Sequence, residues 1–428
     1  MKALSVNSIN ESESNSKKEK GSAQLINAWA KRLVLKRLQR FTDGSLLIED
    51  GDELHYFGEN PEKADTKGHI VIHRMSVYRD LLLNGTTGSG ESYMRGEWES
   101  PDLVNVIRIM CQNLDTLYGF NSGWSTVSTF FSGLRHRLRI NNKKNSKRNI
   151  SAHYDLGNDF FSLFLDKSMM YSSAIYPSPE TTLEDASNYK LDHVCQRLRL
   201  TPDDHLLEIG TGWGGMAIYA AKYYGCKVTT TTISKEQHSH AVSQVKAAGL
   251  QDKITVLLDD YRDLEGQFDK LVSIEMIEAV GPQYYSDYFS TCSRLLKKEG
   301  LMLIQAITMP DQRYTQTSDS ADFIQLYIFP GGHLPCPSVM AKHVAKDTDM
   351  QIVGIEDITI DYALTIKAWR QRFFDKLPHI KSLGYDDIFI RMWDFYLSYC
   401  EGGFRERTIG TMQMLIAKPR CLSFPTIR

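Results

Sequence analysis

Residues 151–420 are predicted to form an α/β domain on a doubly wound, mostly parallel seven-stranded sheet, preceded by a smaller mixed α/β domain. The first observation is a set of apolar, β-branched runs: HLLEI, CKVTTTTI, KITVLL, FDKLVSIEM and LMLIQAIT. The second is that helical stretches separate them, among them GMAIYAAKYYG, KEQHSHAVSQVKAAG and YYSDYFSTCSRLLKKEG. Strands alternating with helices at this spacing imply βαβ units and a parallel sheet. MQIVGIEDI and TMQMLIAKP supply the last two strands. The third observation is the glycine turn in HLLEIGTGWGG, residues 205–215, placed where sheets of this kind bind ligands.

Composition bounds the function. A chain of 428 residues, 42% apolar and 11% aromatic, can bury a large core and has room for two domains. The net charge of −2 gives no global attraction to nucleic acid. Seven scattered cysteines without C-x-x-C spacing suit reduced thiols in a cytoplasmic protein. No run reaches the roughly 18 apolar residues of a membrane span, and the N-terminus lacks a signal-peptide core.

Residues 1–22, rich in Ser, Asn, Glu and Lys, read as a disordered tail. The domain spanning 23–134 opens with LINAWAKRLVLKRLQRF, a helix whose Lys31, Arg32, Lys36, Arg37 and Arg40 suit an anionic surface. Arg37 and Arg40 nevertheless fall within its apolar arc, so an ordinary domain helix is an equal alternative. The runs SLLIEDGDELHYFG and HIVIHRM and the helical SVYRDLLLNG and PDLVNVIRIMCQNLD follow. Residues 135–150 form a basic linker; 135–149 hold seven Lys or Arg and no acid, and near lipid headgroups each is worth about 1 kcal/mol.

Gly210, Gly212 and Gly215 satisfy G-x-G-x-x-G, yet the end of the second strand, VTTTTIS, lacks the acid that a dinucleotide ribose needs. Glu208 just before the turn would repel a pyrophosphate and welcome an ammonium. S-adenosylmethionine, with an amino-acid end and a nucleoside end, fits both constraints.

HYDLGNDFFSLFL (153–165), MMYSSAIYP (169–177), LLEIGTGWGG, TISKEQ (232–237), DYRDL (260–264), SIEMIEAVG (273–281), YIFPGGHLP (327–335) and DYALTIKAW (361–369) occur in this order. Together they resemble the cyclopropane-fatty-acyl-phospholipid synthase family, which includes the mycolic acid cyclopropane synthases. The resemblance covers roughly 150–420, and GESYMRGEWESPDL is similar to the N-terminal domain of longer members. It implies a fold of the class I S-adenosylmethionine-dependent methyltransferase type. Tyr171 and Ser172 would lie over the methionine portion of the cofactor, with Gly210 and Gly212 beneath it. Thr232, Ile233 and Gln237 would reach the ribose, and Tyr261 and Arg262 the adenine.

The implied reaction adds the sulfonium methyl to an alkene in a phospholipid acyl chain, which is mostly positioning and water exclusion. The carbocation that results would be held by aromatic faces, with Phe160, Phe161, Tyr327, Phe329 and Trp369 as candidates. Closing a cyclopropane then requires a base to take a proton from the transferred methyl. In the resembled family that base is a bound bicarbonate held by a Cys, a Glu, a His, an Ile amide and a Tyr. Glu278, Ile307 and Tyr362 match, whereas Ser173 stands where Cys is expected and Gln305 where His is expected. Both can donate hydrogen bonds, but Gln cannot become cationic. Ring closure is therefore weighed against a methyl- or methylene-branched product, and lipid chemistry against a small-molecule N-methyltransferase or a non-catalytic lipid-binding protein. The expected setting is cytoplasmic and peripheral on the inner membrane face, with pairing into a homodimer left open.

Overall fold

The computed structural model describes residues 24–118, 157–317 and 322–422. The N-terminal tail and the basic linker lie outside them, so neither expectation is addressed. The chain divides into two compact units, Met1–Phe131 with Asp386–Phe395, and Ser132–Tyr385 with Tyr396–Arg428.

The first unit begins with helix α1, residues 24–38. It buries Ala30, Val34 and Leu38, spaced four apart and so on one face. Lys31 is bound by Asp50 and Glu53 at 2.6 and 2.9 Å. Arg37 Nε donates to the Thr116 carbonyl, which explains how a cation sits in the apolar arc. Two of the five cations expected to face an anionic surface thus hold the unit together. Strands β1 (Ser45–Asp50), β2 (Glu53–Gly58), β3 (Lys67–Ile72) and β4 (Trp98–Glu99) form a sheet of order β2-β1-β3-β4. A hairpin at Gly51, φ +62°, joins β1 to antiparallel β2, and β3 runs parallel to β1. Helices α2 (Ser76–Met94) and α3 (Leu103–Gln112) complete it; Asp102 caps α3 by accepting from the Asn105 amide.

The second unit carries all seven expected strands: β5 (His205–Ile209), β6 (Lys227–Thr231), β7 (Ile254–Leu257), β8 (Phe268–Ile274), β9 (Leu296–Thr308), β10 (Gln351–Asp357) and β11 (Gly410–Ala417). Their order is β10-β11-β9-β8-β5-β6-β7. Strands β5 to β9 pair in parallel, and β11 runs antiparallel to β9 and β10. One correction concerns LKKEG, read as the end of a helix. The helix stops at Leu295, Leu296 already pairs with Phe268, and the residues before Leu301 bulge out of the ladder.

Two apolar clusters cover the sheet faces, one around Leu207, Phe289 and Met414, the other around Leu206, Val194 and Val272. Each fully buried side chain of this size contributes about 1.5–3 kcal/mol. Helices α4 (Leu183–Leu198), α5 (Lys235–Ala247), α6 (Tyr285–Leu295) and α7 (Pro337–Asp347) flank the strands. Helix α8 (Thr359–Asp375) buries Tyr362, Ile366, Trp369 and Phe373 along one stripe. Helix α9 spans Asp387–Arg405. Among the described residues no helix is long and apolar enough to cross a membrane.

Candidate active site

The chain runs from β5 to β6 on one side of β5, while β8 lies on its other side. That reversal makes a crevice at the carboxyl ends of β5 and β8, the place where open α/β sheets hold ligands. Every expected site residue lies in the second unit.

The turn after Ile209 is built from backbone. Gly210 (φ +102°) and Gly212 (φ +52°) adopt conformations that other residues reach only with strain. A Cβ on Gly212 would meet nothing within 4 Å, so its backbone is open to a ligand's close approach. The Gly210 and Thr211 amides are tied to the Thr231 carbonyl at the tip of β6. Beyond that tip the Thr232 hydroxyl donates to Gln237 Oε1 at 2.8 Å, and Ser234 caps α5. Ile233 between them is half-buried. This open turn beside a Thr–Gln pair fits the two-ended methyl donor expected here.

Two of the residues expected at the cofactor have partners within the chain. Glu208 is buried and accepts from the Thr230 hydroxyl at 2.6 Å. Burial pushes its carboxyl up to about 8, so near neutral pH it holds a proton rather than attracting an ammonium. Arg262 grips the Asp260 carboxylate through Nε and Nη2 at 2.8 and 2.6 Å, and its guanidinium lies 5.6 Å over the Tyr261 and Tyr284 rings. Its charge is already paired. Tyr261 packs edge-on against Tyr288.

At the end of β8 the structure brings together the residues expected to hold an anion, around a group that sequence reasoning missed. Glu275 Oε1 accepts from the Ser173 amide at 2.9 Å and from Gln305 Nε2 at 2.8 Å; Oε2 accepts from the Tyr362 hydroxyl at 2.8 Å. Ser173 Oγ turns away, to the Ala174 carbonyl. The Ile307 amide donates to Glu278 Oε1 at 2.5 Å, while Glu278 Oε2 is buried without a partner. Burial and the neighbouring Glu275 push the Glu278 carboxyl up to about 8. Of the donors expected for bicarbonate, the Ile307 amide is engaged by Glu278, the Gln305 amide and the Tyr362 hydroxyl by Glu275, and the Ser173 hydroxyl by a backbone carbonyl, so the set does not fit a second anion.

Gln305 is oriented by its neighbour across the ladder: Gln413 Nε2 donates to Gln305 Oε1 at 3.0 Å, leaving Nε2 to face Glu275. Lys190, wholly buried, donates to Ser172 Oγ at 2.8 Å. Desolvation lowers its ammonium to about 8, opposed chiefly by Glu275. A lysine within the apolar stripe of Leu183, Ala186, Leu191 and Val194 was the available signal for it. For Glu275 the signal was an acid ending an apolar strand in a ligand-bearing sheet.

Aromatic rings adjoin this cluster. Tyr171 lies 5.2 Å from Trp369 and 6.1 Å from Phe329, and its hydroxyl meets that of Tyr396 at 2.9 Å. Trp369 is 6.0 Å from Tyr362. Phe160 and Phe161 are fully buried, with Phe161 5.3 Å behind Tyr171, and Tyr327 is exposed and packs on Phe323. Of the five aromatic candidates, Trp369 packs on Tyr362 of the Glu275 cluster and shares Tyr171 with Phe329 and Phe161, while Phe160 belongs to the core.

Comparison with known proteins agrees with this architecture. The family described as mycolic acid cyclopropane synthetase matches residues 141–414. Tuberculostearic acid methyltransferase UfaA1 of Mycobacterium tuberculosis is 37% identical over 82% of this chain and 83% of its own. Cyclopropane-fatty-acyl-phospholipid synthase of Escherichia coli is 36% identical over 82% and 87%. Among solved structures, mycolic acid cyclopropane synthase CmaA1 complexed with SAH and CTAB superposes with a TM-score of 0.60 at 29% identity, covering 64% of this chain and 98% of that one. The sheet is thus of the class I S-adenosylmethionine-dependent methyltransferase type, and the chain belongs to the mycolic acid cyclopropane synthetase family.

Proposed function

We propose that the protein transfers a methyl group from S-adenosylmethionine to the double bond of an unsaturated acyl chain in membrane phospholipid, and that a cyclopropane is the first product to look for. The observation that carries this reading is one strand-end crevice in which a backbone-open glycine turn adjoins an aromatic wall ending on a hydrogen-bonded carboxylate. The family supports the methyl donor, and the relatives' names support a lipid acceptor.

The residues divide the work. Gly210 and Gly212 would take the methionine end of the donor, with Thr232, Ile233 and Gln237 toward its ribose and Tyr261 toward its adenine. Tyr171 and Ser172 would cover it. The donor supplies an electrophilic methyl, and the alkene carbon attacks it. The positive charge then developing on the chain is stabilised by the faces of Tyr171, Phe329 and Trp369 and shielded from water. A branched product is a second reading, favoured by Ser173 and Gln305, which depart from the residues expected at a bicarbonate site. An N-methyltransferase would have little use for so carbon-rich a wall beside a carboxylate already held by three donors.

Incubation with methyl-deuterated S-adenosylmethionine and cis-monounsaturated phospholipid vesicles, followed by ozonolysis, tests the assignment. Labelled chains that resist ozone mean a cyclopropane. Labelled chains that ozone cleaves mean a branched alkene, and unlabelled lipid would overturn acyl-chain methylation.

A further inference from the structure

Whether a ring or a methylene branch forms, one C–H bond of the transferred carbon must break, and a base must receive the proton. We infer that Glu275 is that base, and that the chain thereby carries its own anion on the donors where a free bicarbonate was expected. This rests on the proposed methylation of an acyl alkene.

Three features of Glu275 support it. First, its carboxylate is held but not saturated. A carboxylate offers about four lone-pair sites; Ser173 and Gln305 occupy those of Oε1, Tyr362 one of Oε2, and one on Oε2 remains. The residue is half-buried rather than fully enclosed, at the strand end that faces the crevice. Second, Glu275 sits at φ +49°, a left-handed conformation that strains a non-glycine residue. Strain kept at a strand end in the ligand crevice marks a side chain retained for what it does. Third, the next residue, Met276, lies 3.4 Å from where a Gly210 Cβ would be. Glu275 thus immediately precedes the residue that packs against the turn assigned to the methyl donor.

Glu278 completes the division of roles. Its carboxyl is pushed up by burial and by Glu275, whereas the three hydrogen bonds that Glu275 accepts favour the charged form of that carboxyl. Desolvation raises the proton affinity of Glu275, and the three hydrogen bonds temper the rise. In the step itself, the C–H bond of the methyl-derived carbon breaks and its proton passes to Glu275 Oε2. The released electron pair forms the C–C bond that closes the ring or, where a 1,2-hydride shift has first moved the cation onto the methyl-bearing carbon, the π bond of a methylene group, and the cation is extinguished. Glu275 returns the proton to solvent after product leaves.

The test uses the full chain in carbon-dioxide-depleted buffer, with methyl-deuterated S-adenosylmethionine and cis-monounsaturated phospholipid vesicles. Product should lose one deuterium from the transferred methyl, and sodium bicarbonate at millimolar concentration should change the rate by less than about twofold. Glu275→Gln should lower kcat about a hundredfold or more while S-adenosylmethionine binding by calorimetry persists. Glu275→Gly relieves the positive φ and frees three donors. It should bind bicarbonate by calorimetry, which the unaltered protein should not, and regain part of its rate when bicarbonate is added. A tenfold or greater stimulation of the unaltered protein by bicarbonate, or near-normal turnover of Glu275→Gln, would overturn the inference (about 1.4 kcal/mol per tenfold). If the unaltered protein leaves these lipids unlabelled, the proposed function fails; calorimetry still decides the carboxylate question, because bicarbonate binding to the unaltered protein sinks it.

Discussion

The two halves of the crevice are made of different material. At the end of β5, Gly210, Gly212 and the Thr231 carbonyl shape the turn almost entirely from main chain. At the ends of β8 and β9, Glu275, Gln305, Glu278 and Tyr362 meet through side chains drawn from two strands, a 3-10 turn and helix α8. A backbone-built site tolerates changes that preserve conformation, and a side-chain network tolerates changes that preserve each donor and acceptor. The two should therefore fail differently.

The largest expected effect breaks the backbone half. Gly210→Val cannot hold φ +102° without strain and would press on Met276. S-adenosylmethionine affinity should fall about a hundredfold, or roughly 2.7 kcal/mol, by calorimetry. Affinity within a few-fold of normal would remove the turn from the donor site.

Next comes Tyr362→Phe, which takes one donor from Glu275 Oε2 and keeps the ring that packs near Trp369. We expect kcat to fall about tenfold with donor affinity unchanged. Loss of a hydrogen bond to the charged form raises a carboxyl's pKa, so the acid limb of the kcat profile should move to higher pH. An unmoved limb would separate Tyr362 from the group that titrates.

Gln413→Leu acts one step further away. It leaves the buried Gln305 Oε1 without its donor, which costs about 1–3 kcal/mol in urea unfolding. A freed Gln305 amide should lower kcat only a few-fold. A loss as large as that of Tyr362→Phe would place Gln413 closer to the chemistry than the hydrogen bonds do.

The smallest effect is a slope. The Glu208 carboxyl keeps its proton to about 8 in the folded chain, against an ordinary value of 4.5. Between those values only the unfolded chain ionises, so this group lowers stability as pH rises from about 4.5 to about 8. Glu208→Gln can still accept from Thr230 but cannot ionise. Its melting temperature relative to the unaltered protein should therefore rise across that window; a difference independent of pH would show that Glu208 is not held neutral.

The contrast also divides what could be read in advance. The seven strands and the glycine turn followed from local patterns, because periodicity and turn chemistry act over a few residues. The partner of Arg262, Asp260, lies two residues before it and is likewise within local reach. Helix α6 was read too far because leucines and lysines suit a helix as well as a strand, and only pairing with β8 decides. Ser173 and Gln305 looked like weak substitutes at an anion site. What they serve became visible only in three dimensions, where residues 173, 275, 305 and 362 meet.

The sequence by itself determined the sheet, the turn and the class of methyl donor, since each depends on conformations that neighbouring residues impose. Tertiary structure alone decided which carboxyl occupies the donors, because a buried group's charge is set by every atom that replaces its water. For Glu275 those atoms come from segments over a hundred residues apart.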